Sequence, residues 1–297
     1  MEIGVSPRIV LARAIARPAL AEPALVLAAA DIPHSQEFDG HHWLLLVAED
    51  HAKRAQREIA DWQAENQPGP KPTPPQVIDK GLWGALGYLL VIWSLPWIEN
   101  AGLTADRWRE LGTLAPDGVR SGELWRAVTA LTLHGDLGHL MANSAFGVLF
   151  GVLASRMLGS GVAWLLILLG GISGNLLNAW VQGDAFRSIG ASTATFAALA
   201  LAGAVAWRRG WFRHRDMRRS AAPVVGGIAL LVYTGLGAEG ENVDVFAHLF
   251  GFAAGFLIGC IVARIPVEAG GVGLQQGAGM IAVGVVGLSW WAAWLAV

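Results

Sequence analysis

The apolar and polar positions divide this chain near residue 75. Ahead of that point the apolar runs are short. One covers Ala24–Ala30, a turn-like polar stretch follows over 31–40, and HHWLLLVAED (41–50) is apolar at its centre. A helix is predicted over 52–66, with Asp50 placed as its N-cap. This alternation predicts a small soluble α/β domain over 1–75. It closes on PGPKPTPP (68–75), whose prolines cannot continue a helix and make a semi-rigid linker. The basic start, with Arg8, Arg13 and Arg17, lacks the long apolar core of a cleavable signal peptide.

From residue 81 the pattern changes to long apolar runs. Seven come near the ~20 residues that cross a bilayer: 81–99, 137–158, 161–181, 191–209, 222–238, 244–265 and 276–297. Tryptophans stand near the predicted ends, among them Trp93, Trp97, Trp164, Trp180, Trp207, Trp211, Trp290 and Trp291, as aromatic belts require. Residues 100–136 make an unusually long connection. Trp108, Leu111, Leu114, Leu124, Trp125 and Val128 predict amphipathic pieces lying in the membrane interface there.

Composition agrees with that pattern and narrows the class. Hydrophobic residues are 54% before the 38 glycines are added, and charged residues are 15%, where a soluble domain carries about 25%. Disorder is excluded and lipid must absorb the surplus. A net charge of −2 argues against nucleic acid as a partner. A single cysteine, Cys260, excludes a disulfide framework and a Cys-rich zinc site, and no H-E-x-x-H is present.

Charge placement sets an expected orientation. Arg208, Arg209, Arg213, Arg215, Arg218 and Arg219 crowd the loop between the fourth and fifth spans, which keeps that loop cytoplasmic. The acidic loop 238–244 then faces outward, the N-terminus is cytoplasmic and the C-terminus external. Lys71 and Lys80 agree with this assignment. The Ala-, Gly- and Arg-rich usage suggests a bacterial inner membrane. Spans two, four and six all run from outside to inside.

That topology brings the intramembrane polar groups to one depth. His134, His139 and Asn143 stand at the head of span two, Ser192 at the head of span four, and His248 near the head of span six. Such groups are costly in lipid and are usually functional or bonded between helices. These types suit acyl transfer. A serine hydroxyl becomes nucleophilic when an imidazole takes its proton, and a helix start offers unpaired amides to an oxyanion. His139 and Asn143, four apart, share a helix face. Gly251, Gly255 and Gly259 recur every four residues in span six, a spacing that lets membrane helices approach closely.

The pieces WRAVTALTLHGDLGHLMANSAFG (125–147), GAST (190–193) and AHLFGFAAG (247–255) resemble the rhomboid intramembrane serine proteases, over about residues 80–265. The resemblance implies a six-helix bundle over 80–265. The last run, 276–297, would be an added C-terminal transmembrane helix, and the soluble domain would be cytoplasmic. It implies Ser192 as nucleophile and His248 as general base, with no third acid and no cofactor. His139 and Asn143 would line the oxyanion hole with the Ser192 amide. His134 would be the first histidine of an H-x4-H-x3-N motif, Gly190 and Phe196 would line the site, and Trp125 with Arg126 would anchor the first loop. Substrates would be transmembrane segments of other membrane proteins.

G-A-S-T departs from the family's G-x-S-G. Thr193 stands where glycine is usual and can either crowd the site or give its hydroxyl to the backbone. A rhomboid-like protein that binds transmembrane helices without cutting them is therefore the alternative reading, and a transporter a distant third. Asp244 reads as an N-cap, Asn175 and Asn178 as bonds between helices.

Overall fold

The computed structural model describes residues 7–66, 77–100, 107–210, 225–229 and 244–296. The chain separates into two compact units, Met1–Lys71 and Pro72–Val297.

In the first unit, β1 (Arg8–Ala14), α1 (Ala21–Ala29), β2 (His34–Phe38), β3 (Trp43–Ala48) and α2 (Glu49–Glu65) follow in order. The sheet order is β1-β3-β2 and both pairings are antiparallel. The central strand is the apolar one, WLLLVA, with Leu45 and Val47 buried. They pack with Leu20, Leu27 and Ile32 and with Ala52 and Ala55, which stand three apart on one face of α2.

Two expectations change here, and the unassigned start gains an assignment. The turn-like stretch 31–40 contains the edge strand β2, whose HSQEF is too polar to reveal itself by hydropathy. The N-terminal arginine-rich stretch is strand β1. Asp50 is not the N-cap of α2. That helix starts at Glu49 with Ala48 as N-cap, because β3 runs straight into it and the Glu49 amide is bound by the Pro7 carbonyl at 2.9 Å. Glu49 and Asp50 instead complement the helix dipole from its first turn.

The second unit is helical. It contains α3 (Leu82–Asn100), three short helices α4 (Arg107–Gly112), α5 (Pro116–Arg120) and α6 (Arg126–Thr129), then α7 (Leu137–Leu158), α8 (Ser160–Val181), α9 (Ser192–Arg208), α10 (Val245–Val262) and α11 (Gly271–Leu295). Among the described residues, α7, α8, α10 and α11 are long and apolar enough to cross a membrane, and α3 contributes the shorter apolar stretch Leu82–Ile98. The protein is an integral membrane protein. The helices match the sequence boundaries closely, except that α11 begins at Gly271 rather than 276. Of the fifth expected span only 225–229 is described, and it is helical. The linker 68–75, Arg213, Arg215, Arg218, Arg219 and most of the acidic loop lie outside the described residues.

α9 is the buried centre of this unit. Ala197, Leu201, Ala204 and Val205 show essentially no surface, and α7, α8 and α10 pack around them. The small side chains of α9 and the glycines of α10 make that approach possible. A β carbon on Gly255 would lie 2.6 Å from the Ala197 Cα, and one on Gly259 2.7 Å from the Ala204 Cβ.

The long connection packs its apolar residues inward. Leu111, Leu114 and Val128 are buried within the protein, and only Leu124 of the named apolar positions is well exposed. Leu114 forms a bridge with Ser188, which ties this segment to the loop before α9. Two belt tryptophans are likewise internal anchors: Trp164 stacks on Tyr88 at 4.8 Å, and Trp290 donates to the Thr132 hydroxyl at 3.1 Å.

Candidate active site

The start of α9 is fixed by a glycine. Gly190 has φ +137°, a backbone state that side chains resist, and its amide donates to the Ala130 carbonyl at 2.9 Å. A β carbon there would come within 2.6 Å of His139 Cε1 and 2.7 Å of its Nε2. Only glycine lets the imidazole lie over this turn. The same point is 3.6 Å from the Ser192 hydroxyl oxygen, so His139 and Ser192 flank Gly190. Ser192 is the first residue of α9. The first four amides of a helix have no acceptor within it, and its N-terminus is electropositive.

The start of α10 is fixed by Asp244. One carboxylate oxygen accepts from the Ala247 amide at 3.0 Å, and the other from the Asn178 side chain of α8 at 2.6 Å. This carboxylate is thus an N-cap bonded across helices. One turn later His248, 6% exposed, places Nε2 2.9 Å from the Ser192 Oγ. Phe196, one turn beyond Ser192, lies 4.5 Å from the His248 ring at 41°. The contact is tilted rather than stacked, and it restricts how the imidazole can turn.

Thr193 points away from this pair. It is 3% exposed, and its methyl fits between Gly174 of α8 and Gly251 of α10. A β carbon on Gly174 would fall 2.6 Å from that methyl and one on Gly251 2.9 Å. The larger residue next to Ser192 is matched by two missing side chains opposite it.

On the other side, Asp136 caps α7 by accepting from the His139 amide at 2.9 Å. His134, 4% exposed, receives a long 3.4 Å bond at Nε2 from the Ala191 amide and meets His139 edge-on at 5.2 Å. His134 therefore holds the residue before Ser192. Asn143 is 5% exposed, and its side-chain nitrogen has no partner among the described residues. A buried donor of this kind calls for an explanation. Its backbone carbonyl accepts from the Tyr88 hydroxyl at 2.9 Å. The structure brings Ser192, His248, Phe196, Gly190 and His139 together, whereas Asn143 lies one turn after His139 without a described contact to Ser192 or His248.

Supporting residues extend the set. Arg126 Nη1 donates to the Glu110 and Thr113 carbonyls, both at 2.9 Å, and its Nε pairs with Glu123. Asn175 donates to the Ala127 carbonyl at 3.0 Å. Tyr88, Ala130 and Gly174 were not singled out from sequence. Tyr88 carried a signal, being one of two tyrosines and set in an apolar run. So did Gly174, four residues after Gly170.

Chemically, an imidazole within hydrogen-bond reach of a serine at an electropositive helix start can take the hydroxyl proton as the oxygen attacks a carbonyl. Comparison with known proteins points the same way. Residues 121–265 match the rhomboid domain. The chain is 31% identical over 181 residues to YdcA of Bacillus subtilis, assigned by name to the rhomboid proteases, covering 60% of this chain and 87% of that one. It is 30% identical over 171 residues to rhomboid-like protease 1 of Toxoplasma gondii, covering 57% and 56%. With the rhomboid protease GluP of Bacillus subtilis it shares 28% over 167 residues, covering 56% and 32%.

Proposed function

Since the chain belongs to the rhomboid family of serine endopeptidases, we propose that Ser192 and His248 are its catalytic dyad and that it cuts transmembrane segments of other membrane proteins. The observation that carries this reading is the 2.9 Å contact between Ser192 Oγ and His248 Nε2, made across two helices.

In the proposed reaction Ser192 attacks a peptide carbonyl of a locally unwound substrate helix while His248 takes the hydroxyl proton. The oxyanion is held by the Ser192 amide, the Asn143 side-chain nitrogen, which has no partner among the described residues, and His139. His248 returns the proton to the leaving amine, and water then releases the acyl group by the same steps. A single oxyanion donor contributes about 2.7–4 kcal/mol to such a transition state.

The proposed architecture is a six-helix membrane core over 80–265, with α11 as an added transmembrane helix and 1–75 as a soluble cytoplasmic domain. The arginine-rich loop supports this orientation, which opens the site toward the outer face, where water can reach it. Thr193 gives little support to a non-cleaving, helix-binding protein, because its methyl is accommodated by Gly174 and Gly251.

The test is cleavage of a transmembrane substrate by purified protein, together with fluorophosphonate labelling. Wild type should cleave and label. Ser192→Ala and His248→Ala should lose cleavage, and Ser192→Ala should lose the label. Retained cleavage in Ser192→Ala would overturn the assignment.

A further inference from the structure

Between α3 and α11 lies a cavity of about 340 Å³. Gly87 and Val91 form one wall and Gly279 and Val283 the other, and its floor runs across α8 to Ala191 and Ala194 of α9, behind Ser192. Its lining is almost wholly apolar. Such a cavity rejects water, whose molecules would find no polar partners, and an empty one leaves its walls without dispersion contacts. Its walls belong to helices that stand in a membrane, so the material available to fill it is lipid.

Size selects among lipid-phase occupants. The volume equals about eleven waters at ~30 Å³ each. A helix, 10–12 Å across with its side chains, does not fit, whereas a single polymethylene chain does. Polar side chains stand at both ends, Thr132 and Thr195 near α9 and Ser160 with Gln275 opposite, and the Ser160 end alone borders a charged surface, at Asp79 and Lys80. The Ser160 hydroxyl lines the cavity and is buried without a partner among the described residues, while the Ser160 amide donates to Asp79 at 2.7 Å beside the exposed Lys80.

We infer that this cavity holds one acyl chain of a membrane phospholipid, with its ester end at Ser160 and its tail directed toward the start of α9. The C-terminal helix thereby forms one wall of a lipid site that backs the serine. The inference stands on the cavity and not on the identity of the catalytic residues.

Gly87 offers the means to test it, since a β carbon there would meet nothing within 4 Å, so Gly87→Phe fills the space without displacing a helix. The full chain is placed in nanodiscs of long-chain phosphatidylcholine and released for native mass spectrometry. Melting is followed in detergent with added long-chain or dihexanoyl phosphatidylcholine. Wild type should retain one phospholipid and gain Tm with the long-chain lipid alone. Gly87→Phe should lose both the retained lipid and the response. The inference fails if wild type retains no lipid, if the dihexanoyl lipid stabilises equally, or if Gly87→Phe behaves as wild type. Should Gly87→Phe not fold, the chain-length comparison on wild type decides.

Discussion

Thr193 and Gly251 meet with no room between them: a β carbon on Gly251 would sit 2.9 Å from the Thr193 methyl and would also run into the Thr193 carbonyl oxygen. The residue beside the proposed nucleophile and the residue one turn beyond the proposed base thus set the distance between α9 and α10. Gly251→Ala should force the helices apart and open the 2.9 Å gap between Ser192 and His248. Fluorophosphonate labelling of Ser192 is expected to fall at least a hundredfold. Unchanged labelling would mean that the helices are not in contact at this level.

Thr193→Gly tests the other partner. It removes two buried carbons and a hydroxyl, at about 0.8 kcal/mol per carbon, and adds glycine's backbone freedom, at about 0.5–1 kcal/mol. A loss of about 2–3 kcal/mol in stability is expected, with turnover within a few-fold of wild type. A large rise in turnover would show that Thr193 crowds the site after all.

Asp244 stands four residues before His248 and could be mistaken for the acid of a triad. Its two oxygens are engaged by Ala247 and Asn178, which makes it a cap. Asp244→Asn keeps one acceptor and should lower kcat by tenfold or less, with about 1 kcal/mol lost in stability. A triad acid would cost about 10⁴ in kcat, so the two roles separate cleanly in a single rate measurement.

Asn143 offers the most direct test of the oxyanion site. The Tyr88 hydroxyl bonds its backbone carbonyl and not its side chain, so that bond survives substitution. Asn143→Ala should lower kcat by about 10²–10³ with KM little changed and Tm close to wild type. An equal loss of stability and activity would point instead to a bond between helices.

Much of the membrane unit was readable because apolar length is a strong signal: α7 begins and ends at the residues expected, and α8 and α9 begin within one residue. That Ser192 and His248 come to one level on neighbouring helices could also be read from the order and direction of the spans. Other features depend on partners distant in sequence. Nothing local marks Gly174 as the counterpart of Thr193, or Ala130 as the acceptor for Gly190. Strand β2 was hidden because an edge strand satisfies its backbone through β3 without needing apolar side chains. Trp164 and Trp290 looked like belt residues because hydropathy does not say which side of a helix faces protein.

The same limit hid the anchor of α11. Gln275 lies just before the start expected for that helix. In the structure its Nε2 donates to the Leu158 carbonyl at 2.9 Å and its Oε1 accepts from the Val162 amide at 3.0 Å. One side chain thereby satisfies the last carbonyl of α7 and an amide in the first turn of α8, both groups that a helix leaves unpaired. Each such bond contributes about 0.5–1.5 kcal/mol, and leaving the groups buried and unpaired costs about 1–3 kcal/mol each. At the other end of α11, Trp290 makes one neutral bond to Thr132, whose hydroxyl also donates to the Thr129 carbonyl at 2.7 Å. Gln275→Leu should therefore lower stability by more than Trp290→Phe does, by at least about 1 kcal/mol. Denaturation of both variants in the same detergent reads the difference. Equal losses would mean that water or lipid already serves the α7–α8 corner, and that α11 is held by its tryptophans alone.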